Sequence, residues 1–103
     1  MLYPYSDKVE VLNIDSAKGF RLAQTKLNEI VLLHIEQGGK IALHALPMNV
    51  TFYVISGNGI ATIEDKTINA KTGDVVDVKA NVQRGWENTN IEKLELLVIK
   101  EKV

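Results

Sequence analysis

An all-β domain of sandwich or barrel type is what this sequence predicts, on three observations. Short stretches rich in Val, Ile, Leu and Thr recur from one end of the chain to the other. Turn-forming residues separate them at intervals of about eight to twelve residues, the punctuation of many-stranded antiparallel folds. Helical periodicity never persists beyond about two turns, and its best window, residues 17–27, is broken by Gly19.

Taken in order, the predicted strands are Val9–Ile14, 29–37, 41–45, Val50–Ser56, 60–64, 75–79 and 94–100. Turns are expected at 15–19, 37–39, 56–59, 64–66, 71–74 and 88–90, where Gly, Asn, Asp and Ser cluster. Asn58-Gly59 reads as a tight turn because both residues tolerate positive φ. Alternation then sorts each strand into two faces. In 29–37, Val31, Leu33 and Ile35 form the inward face, and His34 looks outward to solvent or a partner. In Val50–Ser56 the inward set is Val50, Phe52 and Val54. Thr51, Tyr53 and Ile55 look outward, a face more apolar than a solvated sheet needs. No linker, repeat or low-complexity segment divides the chain, so residues 1–103 are read as one domain of ordinary single-core size.

Composition excludes several classes. A hydrophobic content of 46% belongs to a packed globule and not to a disordered chain. A net charge of −1 and a pI near 6.1 leave no basic face for nucleic acid, and Lys100 with Lys102 reads as a solvated chain end. The absence of cysteine removes disulfides and thiolate metal sites. The first residues lack the basic and apolar runs of a signal peptide, and the longest apolar run, 30–35, is too short to span a bilayer. A cytoplasmic protein with no membrane and no nucleic-acid partner is the expectation. Asn49-Val50-Thr51 matches a glycosylation sequon, but inside a strand of such a chain it reads as chance.

Two glycine-bounded blocks carry the functional signal. Gly38 to Gly57 reads G-G-K-I-A-L-H-A-L-P-M-N-V-T-F-Y-V-I-S-G, and Gly73 to Asn88 reads G-D-V-V-D-V-K-A-N-V-Q-R-G-W-E-N. Their glycine spacing, strand pattern and closing asparagine resemble the paired motifs of the cupin superfamily, G-x5-H-x-H-x3,4-E-x6-G and G-x5-P-x-G-x2-H-x3-N, in its small single-domain form. The resemblance implies a small antiparallel β-barrel of two sheets, a double-stranded β-helix or jelly roll open at one end and often dimeric. Gly38 and Gly57 would bound one hairpin, and Gly73 would open another. Lys79 replaces the motif's proline. Asn81 replaces its glycine, a mild change because Asn tolerates the left-handed conformation.

Typical cupins hold a divalent ion through three histidines and a glutamate. His44 keeps the first of those positions, whereas Leu46, Val50 and Arg84 stand where the second histidine, the glutamate and the last histidine belong. Leu46 and Val50 have no lone pairs to offer, and a guanidinium repels a dication in a poorly hydrated cavity. The resemblance therefore implies a degenerate metal site and no cofactor.

In place of the ion, the barrel is expected to hold a small-molecule ligand. Leu46, Met48, Val50, Phe52 and Trp86 would be apolar walls, with His44 and Arg84 as the polar pair. Arg84 presents a planar fork suited to carboxylate or phosphate, so the ligand is read as anionic or carbonyl-bearing. Two other readings stand beside this one. One is a structural, dimerising barrel in which His44 and Arg84 are relics. The other is a metal-independent isomerase- or epimerase-like enzyme with His44 as base. That enzyme lacks a second proton-transfer group, since Glu64, Asp65, Asp77 and Glu87 fall at turns or in outward positions. A homodimer is expected from the resemblance and from the outward face around His34, Tyr53 and Ile55.

Overall fold

A computed structural model describes residues 1–102. After a 3-10 turn at Tyr5–Asp7 the described residues form ten strands: β1 (Val9–Ile14), β2 (Ala17–Gln24), β3 (Asn28–Ile35), β4 (Lys40–His44), β5 (Val50–Ser56), β6 (Asn58–Ile63), β7 (Lys66–Lys71), β8 (Val75–Val78), β9 (Arg84–Glu87) and β10 (Leu94–Glu101). All pairings are antiparallel, in a six-stranded sheet ordered β1-β2-β3-β10-β5-β8 and a four-stranded sheet ordered β4-β9-β6-β7. This is the all-β, jelly-roll barrel that the sequence predicts.

Three strands escape the sequence reading. Residues 17–24, inside the one window with helical character, form β2, because ladders to β1 on one side and β3 on the other override local propensity. Gly19 breaks no helix there. Its missing Cβ lets Leu12, Val31 and Leu33 close over the strand. β7 is polar and mostly exposed, an edge strand bounded by Lys66 and Lys71, and it lacks the apolar alternation that marks a strand. β9, Arg-Gly-Trp-Glu, lacks it too and lies between β4 and β6.

The glycine-bounded blocks are not hairpins. β4 and β5 lie in different sheets, as do β8 and β9, and the blocks pair with each other, β4 to β9 and β5 to β8. One ribbon thus wraps across both layers and brings His44 of the first block against Arg84 of the second. Gly38, Gly57 and Gly73 all adopt positive φ, and Asn81 does so at 67° in the place of the motif glycine. The turn at 56–59 is carried by Gly57 alone. Asn58 and Gly59 open β6, and a Cβ on Gly59 would strike Leu94 and crowd the Trp86 ring.

The core lies between the sheets. Val31, Leu33 and Ile35 from β3, Val50, Phe52 and Val54 from β5, and Leu94, Leu96 and Val98 from β10 are buried there, as alternation requires. Asn88 is fully buried and structural. Its Nδ2 donates to the carbonyls of Ile35 and Glu92, and its Oδ1 accepts from the Asn90 amide, tying the β9–β10 loop to β3. Asn49 ties another corner, accepting from the Ala80 amide and donating to Glu101.

His34 does look outward from β3. It is half-buried against the edge of Phe20 and lies 3.0 Å from a Glu95 carboxylate oxygen, so its first partner belongs to the same chain. Farther along that outer face Tyr53, Ile55 and Val75 are exposed. No helix among the described residues is long and apolar enough to cross a membrane.

Candidate functional site

A cavity of about 510 Å³ opens between the sheets, within the usual range for small-molecule sites. His44, Leu46, Phe52, Arg84 and Trp86 line it, as do several aliphatic residues of β1 and β3. Two expected wall residues do not. Val50 is fully buried in the core beside the loops that Asn49 ties together, and Met48 is half-buried against that core. Val50 faces inward as expected but packs into the core, and Met48 lies in the connection between β4 and β5.

Arg84 dominates the site. The residue is 3% exposed, yet Nε and Nη1 are buried without a hydrogen-bond partner. Among the described residues no carboxylate pairs with it. Desolvation lowers the guanidinium pKa from its usual value. The nearest compensation is aromatic: the guanidinium carbon lies 6.0 Å from the centroid of Phe52, at the limit of cation–π attraction. Phe52 in turn meets Trp86 edge-on at 5.4 Å, so the two rings form a rigid apolar wall next to the charge.

His44 is placed by a bulge. β4 advances three residues, from Ile41 to His44, while β9 advances two, from Trp86 to Arg84. Gly85 makes this possible, because a Cβ there would lie 2.6 Å from the Ile41 carbonyl oxygen and 3.2 Å from the Leu43 nitrogen. The bulge puts His44 directly across from Arg84, exposed at the cavity margin, with Nδ1 2.9 Å from the Ala42 carbonyl. A carbonyl only accepts, so the proton is on Nδ1, and Nε2 of the neutral ring keeps its lone pair for a ligand. The two side chains share the cavity without bonding to each other.

The structure adds two charged residues that the sequence reading missed. Glu29 of β3 and Lys100 of β10 both line the cavity, facing each other across the ladder with Lys100 Nζ 3.6 Å from Glu29 Oε1. Arg21 approaches the same carboxylate at 3.9 Å from outside the lining. An inward carboxylate therefore exists, and Lys100 is no solvated chain end. Both were legible, since Glu29 shares the parity of Val31, Leu33 and Ile35, and Lys100 that of Leu94, Leu96 and Val98.

Comparison with known proteins bears on the family. The family model described as Cupin domain matches residues 31–100. No curated protein matches the sequence. Among solved structures, a predicted oxalate decarboxylase from Thermotoga maritima superposes with a TM-score of 0.85 at 19% identity, covering 100% of both chains. An RmlC-like cupin from Shewanella frigidimarina gives 0.84 at 15%, covering 95% of this chain and 86% of its own. The polyketide cyclase RemF from Streptomyces resistomycificus gives 0.84 at 12%, covering 98% and 78%. At such identities the likeness is one of fold, and a fold shared by a decarboxylase-like protein and a cyclase leaves function to the site.

Proposed function

The chain belongs to the cupin family, and on that footing we propose that its barrel is a metal-independent receptor for an anionic or carbonyl-bearing small molecule, held by Arg84 with His44 at the margin. One observation carries the reading: a guanidinium that is almost wholly buried and whose Nε and Nη1 lack a partner lines a cavity of ligand size. An unpaired buried charge costs several kcal/mol, and an anion on the fork removes that cost. Phe52 and Trp86 exclude water from one side, which strengthens the pairing.

The residues at the four metal positions of the family do not fit a divalent ion. His44 is a single donor, Leu46 and Val50 are apolar, Arg84 is a fixed cation, and no trio of His, Asp or Glu converges among the described residues. Elemental analysis of protein purified without added ions is expected to find less than one equivalent of transition metal, and a full, tightly held equivalent would overturn the donor count.

The ligand reading is tested by thermal unfolding against a panel of small carboxylates and sugar phosphates. A ligand bound only by the folded state stabilises it by about 2.7 kcal/mol at a hundred times its Kd. The expected result is a rise in melting temperature for at least one acid, lost in Arg84→Gln. A panel without effect on the wild-type protein refutes the reading.

A further inference from the structure

The charged residues on the other side of the cavity narrow the ligand. Glu29 and Lys100 face each other across the β3–β10 ladder, about 5 Å apart at Cβ. Lys100 is diagonal to Phe52 across the β10–β5 ladder, about 7–8 Å away, since Val98 is the residue opposite Phe52. Phe52 carries the Arg84 guanidinium at 6.0 Å. A chain of short steps therefore links the unpartnered cation to a loose ion pair within the same cavity.

That ion pair is open to a ligand. At 3.6 and 3.9 Å both contacts of the Glu29 carboxylate are longer than hydrogen bonds, so its lone pairs are not consumed by Lys100 or Arg21. Glu29 and Lys100 keep 23% and 30% of their side-chain surfaces exposed, so neither is sealed into the core. Arg21 lies outside the lining and pairs with the same carboxylate from there, so a second full charge on the ligand meets only Glu29 and Lys100 inside the cavity, attracted by one and repelled by the other. A hydroxyl group suffers neither penalty, because it donates to the carboxylate and accepts from the ammonium at once.

We propose that the cavity is a two-ended receptor for a short hydroxylated organic acid, its carboxylate on Arg84 and its far hydroxyls bridging Glu29 and Lys100. This rests on the Arg84 anion site proposed above. It assigns the C–H faces of the ligand's carbon chain to the Phe52–Trp86 wall and gives the Glu29–Lys100 pair a specificity role.

Calorimetric titration of the intact protein with four probes tests it: gluconate, which has both ends; hexanoate, the same carbon chain with the acid alone; sorbitol, with hydroxyls alone; and adipate, with two acids. Gluconate is expected to bind at least about tenfold more tightly than hexanoate, the worth of a hydrogen bond to a charged group, and sorbitol not measurably. Glu29→Gln and Lys100→Gln should each weaken gluconate by about tenfold and leave hexanoate unchanged, while Arg84→Gln should abolish both. Equal binding of gluconate and hexanoate, adipate binding more tightly than gluconate, or Glu29→Gln weakening both acids alike refutes the two-ended proposal and leaves the Arg84 site standing. No binding by any of the three acids refutes both. Lys100→Gln, at a more exposed position, serves as the independent variant if Glu29→Gln melts early.

Discussion

Replacing Arg84 with methionine should make this protein more stable. The side chain is 3% exposed with two unpartnered nitrogens, so the folded state carries a desolvated charge that the unfolded chain does not. The lowered pKa of Arg84 points the same way. A cation whose pKa falls on folding binds its proton less well in the folded state, so its penalty is fully present below that pKa, hence at every working pH, and fades only in strong alkali. Methionine keeps the unbranched apolar stem against Phe52 and removes the charge. Exchanging buried ionic groups for packed apolar ones of similar volume gains about 1–4 kcal/mol, and each buried unsatisfied polar group relieved is worth about 1–3 kcal/mol. For a domain of this size 1 kcal/mol moves Tm by about 4–8 °C, so Arg84→Met should melt at least about 4 °C above wild type. Urea and thermal unfolding of ligand-free protein at neutral pH measure it. A loss of more than about 1 kcal/mol would show that the guanidinium is paired within the native protein and would remove the ground for an anion site. Ligand-induced stabilisation present in the wild type and absent from this variant separates a receptor from a barrel carrying a relic.

Three further outcomes are expected. Gly85→Ala sets a methyl group 2.6 Å from the Ile41 carbonyl oxygen, so it should lower stability by about 1–3 kcal/mol and shift the bulge that aims His44; an unchanged urea midpoint would show that β4 yields freely. Asn88→Ala strands the buried Ile35 carbonyl and frees the part-buried Glu92 carbonyl and Asn90 amide, and should lose at least about 1 kcal/mol, a loss that unfolding with a smaller change would contradict. The exposed Tyr53, Ile55 and Val75 of the outer face are expected to be covered by a second copy of the chain, and light scattering at the monomer mass across a broad concentration range would refute that dimer.

Much of the barrel was written in local pattern. Alternation in β3 and β5 sorted inward from outward residues correctly, because a buried face forces a period of two. The turn glycines 38, 57 and 73 were legible because few other residues adopt their φ, and Asn81 shows the permitted exception. β2, β7 and β9 were not legible, since pairing partners distant in sequence hold them and their own composition does not. The hairpin expectation failed for the same reason, as the choice of which strand pairs with which is settled by the sheets together.

For the site, sequence alone determined the chemical types at the family's metal positions: one imidazole, two aliphatic side chains and a guanidinium. Parity also fixed that Phe52 faces inward, and the family pattern implied the same for Arg84 and, two residues on, for Trp86. Only the tertiary structure decided that Val50 and Met48 pack with the core instead of lining the cavity, that Glu29 and Lys100 meet inside it, and that a bulge over Gly85 sets His44 opposite Arg84. Residue type and spacing are local quantities, but burial, ion pairing and register depend on strands brought together from opposite ends of the chain, and no short window of sequence contains them.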